Sequence, residues 1–202
     1  LLNDDTEVDR NWLEAVDLAA QRHPNAGSFA SRIVQLDRPD LIDSAGHGLC
    51  RWGEAFEIGS GAPDGPDFAY DRWVFGAPAS ASVYRRELLE DCGGFDGSMQ
   101  AYLEDIELSL RAQLLGYPCL YVASARVRHR GSSSYGSRPR QRSQLLARNR
   151  IRLILRSMPQ ETLRSSSTAM LLSLIAQLGR DLLLGQAPVS SALGTYEGLE
   201  RA

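Results

Sequence analysis

The clearest pattern of apolar and polar positions lies in the middle of the chain. Ile106, Leu110 and Leu114 recur at helical spacing, which predicts a short amphipathic helix that begins at Glu104 and Asp105. Both acids then fall in the first turn, where unpaired N–H groups and the positive end of the helix dipole favour ionised carboxylates. Acids are common at helix starts, so the pair alone indicates only where a helix begins.

The segment that follows this helix predicts a strand. Gly116, with Tyr117 and Pro118 directly after it, predicts the end of the helix. The apolar run 119–122 and the alternating residues 123–127 then predict a strand that leads to His129. The pattern therefore places an acid pair and a histidine at the ends of neighbouring elements.

The beginning of the chain predicts a strand end, a turn and a helix. Two leucines precede the polar residues Asn3, Asp4 and Asp5, which form a candidate turn. The helix that follows is predicted from apolar residues on one face: Trp12, Leu13, Val16 and Ala20. Without other evidence, the acids of this turn are an ordinary turn sequence.

Three further strands are predicted before the central helix. Two short ones are expected at 31–36 and 41–44, within a region rich in glycine and proline. A longer buried strand is predicted over 73–86. Its small residues, Gly76 and Ala77 among them, leave room for a ligand or for another backbone.

From residue 138 the pattern becomes that of a basic helix, followed by an apolar segment over 168–184. The first segment carries arginines beside an apolar side, and the second is too short and too charged to span a membrane easily. Basic and apolar faces together suggest a peripheral contact with an anionic membrane surface. A pair of helices that packs on the rest of the protein is the alternative. The arginines are Arg140, Arg142, Arg148, Arg150, Arg152 and Arg156.

Composition narrows the class of protein. A chain of 202 residues with 43% hydrophobic residues can bury a sizeable core, and its three cysteines show no CxxC spacing. We therefore expect reduced thiols in the cytoplasm rather than disulfides or a zinc site. Residues 1–107 carry 21 acids and 8 arginines, whereas residues 108–202 carry 4 acids and 14 arginines. The acidic half suits a metal-dependent site and the basic half suits anionic partners. Nucleic acid is not expected, because the basic part has few aromatic residues for base stacking.

Four stretches of the chain resemble one family. GGFD followed by EDIELSLRAQLLGY, and then ARVRHRGSS, resembles the C-terminal half of the catalytic domain of inverting, GT-A-type family 2 glycosyltransferases. LLNDDTEVDRNWLEAV resembles the metal-binding turn of that family, and FGAPASASVYRRELLEDCGGFD its central strand and acceptor loop. The resemblance covers about residues 1–157 and is closest to a bacterial rhamnosyltransferase-like branch.

This resemblance implies an α/β fold with a GT-A-like mixed sheet flanked by helices. It implies that residues 1–137 form the C-terminal part of the catalytic domain, and the pattern after residue 138 predicts a basic and apolar helical extension over 138–202, with the membrane-surface contact as a possible role. Because family members carry a nucleotide-binding half before this part, the chain is expected to be a fragment that lacks it.

The resemblance also assigns chemistry. Asp105 would be the base that deprotonates the acceptor hydroxyl, with Glu104 orienting the acceptor. Asp5 would be the main ligand of a Mg²⁺ or Mn²⁺ ion, with His129 completing the site and Asp4 contacting the metal or the ribose. The residues expected to bind substrate are Asn3, Gly76, Ala77, Gly94, Phe95, Asp96 and Arg130. For the Gly94–Asp96 loop, a plain turn with Phe95 in the core is an equal alternative.

The implied function is transfer of a sugar, with inversion, from a nucleotide-diphosphate sugar to a carbohydrate or polyprenyl-linked acceptor. Such an enzyme would act in cell-wall or polysaccharide biosynthesis, in the cytoplasm or on the cytoplasmic face of the plasma membrane. The alternative is a truncated, non-catalytic remnant that binds a membrane or a partner protein.

Overall fold

The computed structural model describes residues 1–131, 139–183 and 188–200. These residues form two compact units. The first contains residues 1–48, 56–95 and 108–131, and the second contains 49–55, 96–107 and the described part of 132–202. The boundary predicted between residues 137 and 138 lies at residues outside the described ones, and it stays a prediction.

The first unit is built on a mixed sheet. Within the described residues the strands β1, β8, β2 and β3 lie side by side in that order, β6 also pairs with β8, and β7 with β2. Strands β4 and β5 form a separate two-stranded sheet. The strands are β1 (Thr6–Val8), β2 (Ser28–Gln35), β3 (Ile42–Ser44), β4 (His47–Leu49), β5 (Ala55–Glu57), β6 (Arg72–Val74), β7 (Ser82–Tyr84) and β8 (Cys119–His129).

The parallel pair β2 and β8 forms the centre of this sheet, and most positions of both strands are buried on both faces. One face packs against helix α1 (Trp12–Arg22), where Phe29 and Leu120 meet Trp12. On the opposite face, Ala30 and Tyr121 pack among residues of other strands and loops. The predicted mixed α/β fold with flanking helices is therefore confirmed.

Two further helices follow in the chain, α2 (Arg86–Cys92) and α3 (Glu104–Leu114). The prediction that α3 begins at the acid pair is confirmed, and Gly116 follows its end with φ +86°. The predicted apolar stripe is buried at Ile106 and Leu110, but the prediction was wrong for Leu114, which is 56% exposed. The buried face of α3 includes Leu108 and Ala112, which pack against Leu88 of α2.

The second unit is mainly helical. It contains α4 (Pro139–Arg152), a π-helical turn (Leu153–Ser157), α5 (Gln160–Leu183) and α6 (Pro188–Glu200). Helix α6 packs closely on α4. At Gly194 of α6 there is no room for a side chain, since an added Cβ would lie 2.1 Å from the carbonyl oxygen of Gln144 in α4. In the part of the chain that the structure describes, no helix combines the length and apolar character needed to cross a membrane.

Three expectations need correction. Residues 73–86 form two short strands, β6 and β7, instead of one, and Leu13 of α1 is exposed rather than part of the buried face. The arginines of α4 do not form one solvated basic face, since three of them are buried: Arg148, Arg150 and Arg152. The predicted short strands over 31–36 and 41–44 are confirmed as parts of β2 and β3.

Candidate active site

The sheet register brings three polar residues to one end of β8. His129 is the last residue of β8, and it pairs with Thr6 of β1 on one side and Gln35 of β2 on the other. Asp5 directly precedes Thr6, and its carbonyl oxygen accepts a hydrogen bond of 3.1 Å from the N–H of Arg130. Asp43 lies in β3, the next strand beyond β2. Main-chain pairing therefore positions Asp5, Asp43 and His129, which we call the histidine cluster.

The imidazole of His129 lies between the two carboxylates. Its Nδ1 is 2.7 Å from Oδ2 of Asp43, and its Nε2 is 3.3 Å from Oδ1 of Asp5. The side chains of His129 and Asp5 are only 12% and 13% exposed, and that of Asp43 is 30% exposed. The hydrogen bond with Asp43 raises the pKa of His129; partial burial opposes this increase, and the charges of Asp43 and Asp5 add to it.

This geometry fits a divalent cation held by two protein ligands. A carboxylate only accepts hydrogen bonds, so the Nδ1–H donates to Asp43. Nε2 donates to Asp5 when the ring is protonated, and it would turn its lone pair to a cation that took the place of that proton. The 3.3 Å between Nε2 and Oδ1 is compatible with two ligands of one ion at about 2.1 Å each. No group of three or more His, Cys, Asp or Glu side chains among the described residues is arranged to hold a metal. Such an ion would therefore need further ligands from substrate phosphate or water.

Asp43 is a residue that the sequence analysis missed. It lies in the predicted strand 41–44, between the buried residues Ile42 and Ser44. A polar residue between two buried positions is typical of a strand with one open face. That alternation was a usable signal, but nothing local to Asp43 indicated His129 as its partner.

The two arginines of β8 and the one directly after it have different surroundings. Arg126 forms an ion pair with Asp64 at 3.1 Å, and Arg128 lies 3.5 Å from Glu7. Arg130 is exposed directly after His129. Of these arginines, Arg130 is therefore the one best placed to meet an anionic ligand beside the histidine cluster. Its expected role in substrate binding stays a prediction.

The small residues Gly76 and Ala77 allow close packing. A Cβ added to Gly76 would lie 2.1 Å from Oγ of Ser109 in α3. Ala77 is fully buried, and its carbonyl oxygen accepts a hydrogen bond of 3.1 Å from the Tyr84 hydroxyl. The space that these small residues leave is thus occupied by helix α3 of the protein itself. Substrate contact at Gly76 and Ala77 stays a prediction.

The loop after α2 divides between the two units. Gly94 has φ +74°, and its carbonyl oxygen accepts a hydrogen bond of 2.9 Å from Arg111. Phe95 packs edge-on against Tyr84, with ring centroids 5.8 Å apart, and joins the cluster around Leu88. This is the alternative in which Phe95 fills the core. Its role in substrate binding stays a prediction.

Asp96 belongs to the second unit and begins a tight turn. Its Oδ1 accepts a hydrogen bond of 2.8 Å from the N–H of Ser98, and its Oδ2 lies 3.7 Å from Arg156. Burial acts to raise the pKa of Asp96, but the hydrogen bonds from Ser98 and the nearby arginines outweigh it and hold the pKa below its usual value. Asp96 is therefore a carboxylate already engaged by its own unit.

The acid pair opens α3, as predicted. Glu104 and Asp105 are half-buried in the first turn, and Oδ1 of Asp105 accepts a hydrogen bond of 2.9 Å from the N–H of Ile106. Glu107, in the same turn, is buried and accepts a hydrogen bond of 2.8 Å from Ser157. The chemical roles of Glu104 and Asp105 stay predictions, as do those of Asn3 and Asp4, which are exposed in the turn before β1.

Comparisons with known proteins agree on one type of enzyme. The model of the glycosyl transferase family group 2 matches residues 60–190, which is more than half of the chain. The O-antigen biosynthesis protein RfbC of Myxococcus xanthus is 31% identical over 140 residues, which are 66% of this chain and 11% of that protein. A probable glucomannan 4-beta-mannosyltransferase of Oryza sativa subsp. japonica is 41% identical over 54 residues, which are 27% of this chain and 9% of that protein. The chain thus spans about a tenth of each relative's length.

Proposed function

Because the chain belongs to glycosyl transferase family group 2, we propose that it carries part of the catalytic site of an inverting, metal-assisted sugar transferase. The observation that carries this proposal is the contact between Asp5 and His129. The resemblance assigned these two residues to one metal. Nε2 of His129 lies 3.3 Å from Oδ1 of Asp5, although Asp5 stands near the start of the sequence and His129 at the end of β8.

We propose that Asp5 and His129 hold a Mg²⁺ or Mn²⁺ ion. Such an ion would neutralise the charge that develops on a nucleoside diphosphate when the bond to the sugar breaks. Asp5 would supply a hard oxygen ligand, His129 would supply an imidazole nitrogen, and Asp43 would keep the proton on the opposite nitrogen of the ring. Arg130 adds a positive charge beside the diphosphate oxygens.

Asp105 is proposed as the general base. Inversion requires a single displacement, in which the acceptor hydroxyl attacks the anomeric carbon and loses its proton to a carboxylate. Asp105 lies at a helix N-terminus, where the dipole favours the ionised form of the carboxylate. Glu104, the neighbouring acid, would orient the acceptor. Placement of the carboxylate within reach of the acceptor hydroxyl would then provide most of the catalysis.

The finer assignment combines the family resemblance with the names of two relatives. One is named for O-antigen biosynthesis and the other for mannosyl transfer to a polysaccharide. We therefore propose a saccharide or polyprenyl-linked acceptor in polysaccharide biosynthesis, within the rhamnosyltransferase-like branch and on the cytoplasmic side. A peripheral membrane contact is part of this proposal, although the buried arginines of α4 leave a smaller basic surface for it.

The test uses the full gene product that contains this chain, incubated with UDP-, GDP- and dTDP-sugars and a mixture of saccharide acceptors. Release of nucleoside diphosphate should require Mn²⁺ or Mg²⁺ and stop with EDTA, and the anomeric proton coupling of the first-formed product should show inversion. Full activity in EDTA would contradict the metal, and a product of retained configuration would contradict the single displacement. No turnover with any donor would instead favour the non-catalytic binding module.

A further inference from the structure

The segment that leads into the acid pair has an unusual backbone. Gln100, Tyr102 and Leu103 have φ values of +66°, +68° and +66°. Residues with a side chain rarely adopt this left-handed region, and here three of four consecutive residues do so directly before Glu104. Such a backbone persists only where its surroundings hold it in place. We call residues 98–105 the acid turn.

The side chain of Asn149, in α4, holds the acid turn. It is fully buried, and its Nδ2 donates to three main-chain carbonyl oxygens: those of Met99 at 2.9 Å, Ala101 at 2.8 Å and Tyr102 at 2.7 Å. An amide has two N–H groups, so one of them is shared between two of these oxygens. One side chain thus satisfies three carbonyl groups of a segment that forms neither a helix nor a strand.

Two arginines on the same side of α4 complete this arrangement. Arg148 donates from Nε to Oδ1 of Asn149 at 3.1 Å and from Nη2 to the carbonyl oxygen of Met99 at 2.8 Å. Arg152 donates to the carbonyl oxygen of Ser98 at 2.7 Å. Because Arg148 occupies the amide oxygen of Asn149, the NH₂ group must face the acid turn. Positions 148, 149 and 152 share one side of the helix, so α4 presents a row of donors to the turn.

We propose that Asn149 is a positioning residue that sets the place of Glu104 and Asp105. This inference rests on the proposed role of Asp105 as the base. The strained residues join the acid pair without an intervening residue, and the carbonyl oxygen of Leu103 accepts the N–H of Glu107 at 2.9 Å within the first turn of α3. A change in the backbone at residues 100–103 therefore moves the carboxylate of Asp105.

A residue that merely filled space would not show this pattern. An apolar side chain of similar size would fill the volume of Asn149, but the carbonyl oxygens of Met99, Ala101 and Tyr102 would each lose one hydrogen-bond donor. Loss of those donors lets the left-handed residues relax. Misplacement of a catalytic group by about 1 Å costs about 100-fold in rate. We expect Asn149→Ala to lower kcat by about that factor, while binding of Mn²⁺ with UDP, GDP or dTDP stays within about twofold of the wild type.

The experiment compares Asn149→Ala, Asn149→Asp and the control Gln141→Ala in the full gene product. Gln141 is exposed on the same helix. Hydrogen exchange of peptides that cover residues 98–107 should become faster in both Asn149 variants and stay unchanged in the control. Nucleotide release, normalised to the amount of protein that binds Mn²⁺ with nucleoside diphosphate, should fall in the Asn149 variants alone.

A second substitution separates positioning from general destabilisation. Gln100→Gly lowers the cost of the left-handed backbone at that residue, so it should restore part of the turnover that Asn149→Ala removes. A loss of overall stability is recognised separately, because it lowers the amount of protein that binds Mn²⁺ with nucleoside diphosphate, to which turnover is normalised. If Asn149→Ala does not fold, Asn149→Ser and Arg148→Met replace it in the same comparison, because each removes part of the same set of donors.

Three results would overturn the proposal: normal turnover with faster exchange at residues 98–107, unchanged exchange in the Asn149 variants, or equal losses of donor binding and turnover. Asp105→Asn is assayed beside them. If Asp105→Asn keeps wild-type turnover, the assignment of the base is wrong, whereas a lost turnover in Asp105→Asn with normal turnover in Asn149→Ala refutes only the positioning role.

Discussion

The histidine cluster and the acid turn are held in place by different means. Strand pairing positions His129 and the residue next to Asp5, and it also holds the two neighbours of Asp43; it consists of main-chain hydrogen bonds that many side chains would permit. The acid turn has no such ladder, and side chains from α4 supply the donors for its carbonyl groups. The comparison indicates that the first region tolerates changes in its scaffold, whereas the second depends on a few distant residues.

The largest effect is expected at the acid turn. Asp105→Asn keeps the shape of the side chain but removes its ability to accept a proton, so kcat should fall by about 10³-fold. Nucleotide release by the full gene product, measured with saturating donor and Mn²⁺, checks this. Glu90→Gln, an amide substitution at an exposed acid of α2, is the control and should leave turnover unchanged. Turnover of Asp105→Asn within fivefold of the wild type would refute the base assignment.

In the histidine cluster, the strongest effect is expected for Asp5. Asp5→Ala removes a proposed metal ligand, and we expect Mn²⁺ to bind more than about 100-fold more weakly in the presence of nucleoside diphosphate. Calorimetric titration with Mn²⁺ measures this affinity. Asp9→Ala, from the end of the same strand region, is the matched control. An unchanged titration in Asp5→Ala would remove this residue from the metal site.

Asp43 should have a smaller effect, because it acts through His129. Asp43→Ala removes the acceptor at Nδ1 and should weaken Mn²⁺ binding by about 10- to 100-fold. Asp43→Asn keeps an oxygen acceptor, so most of the affinity should remain. Of the two variants only Asp43→Asn carries an acceptor, and equal affinities in a Mn²⁺ titration would show that the contact with His129 does not matter.

The packing of α3 offers a test of stability rather than chemistry. Gly76→Ala would place a Cβ 2.1 Å from Oγ of Ser109, so we expect a loss of about 1–3 kcal/mol in the free energy of unfolding. At Gly65 the nearest atom to an added Cβ is 3.9 Å away, which makes Gly65→Ala the control. Urea denaturation of both variants measures the difference. Equal midpoints would mean that α3 adapts without cost.

The smallest effect concerns the rigidity of β8, the strand that carries His129. Burial raises the pKa of the Cys119 thiol to about 12, although hydrogen bonds with Ser28 and Ala30 oppose this. The thiolate is the reactive form, so iodoacetamide at pH 8 should label Cys119 only after unfolding. Mass spectrometry should find the half-buried Cys50 and Cys92 labelled before Cys119. Rapid labelling of Cys119 in the native protein would show that β8 opens easily.

The sequence predicted those features whose signals are local. Gly116 predicted the end of α3, and the change from helical to alternating apolar spacing predicted β8. The nearness of Asp5 and His129 was instead predicted from the family resemblance. Contacts between distant residues were missed, because neither Asp43 nor Asn149 carries a local signal of its partner. The arginines of α4 were predicted to form a basic face, but the carbonyl groups of the acid turn and of residues 52–53 accept hydrogen bonds from Arg148 and Arg150.

The most direct test of the account is one pair of Mn²⁺ titrations, performed with UDP, GDP and dTDP on the full gene product. The account predicts that Asp5→Ala loses the metal-dependent binding of nucleoside diphosphate, and that Asp105→Asn binds as the wild type does while its transfer is lost. Equal binding in the two variants would contradict the division between a metal-binding histidine cluster and a proton-accepting acid turn.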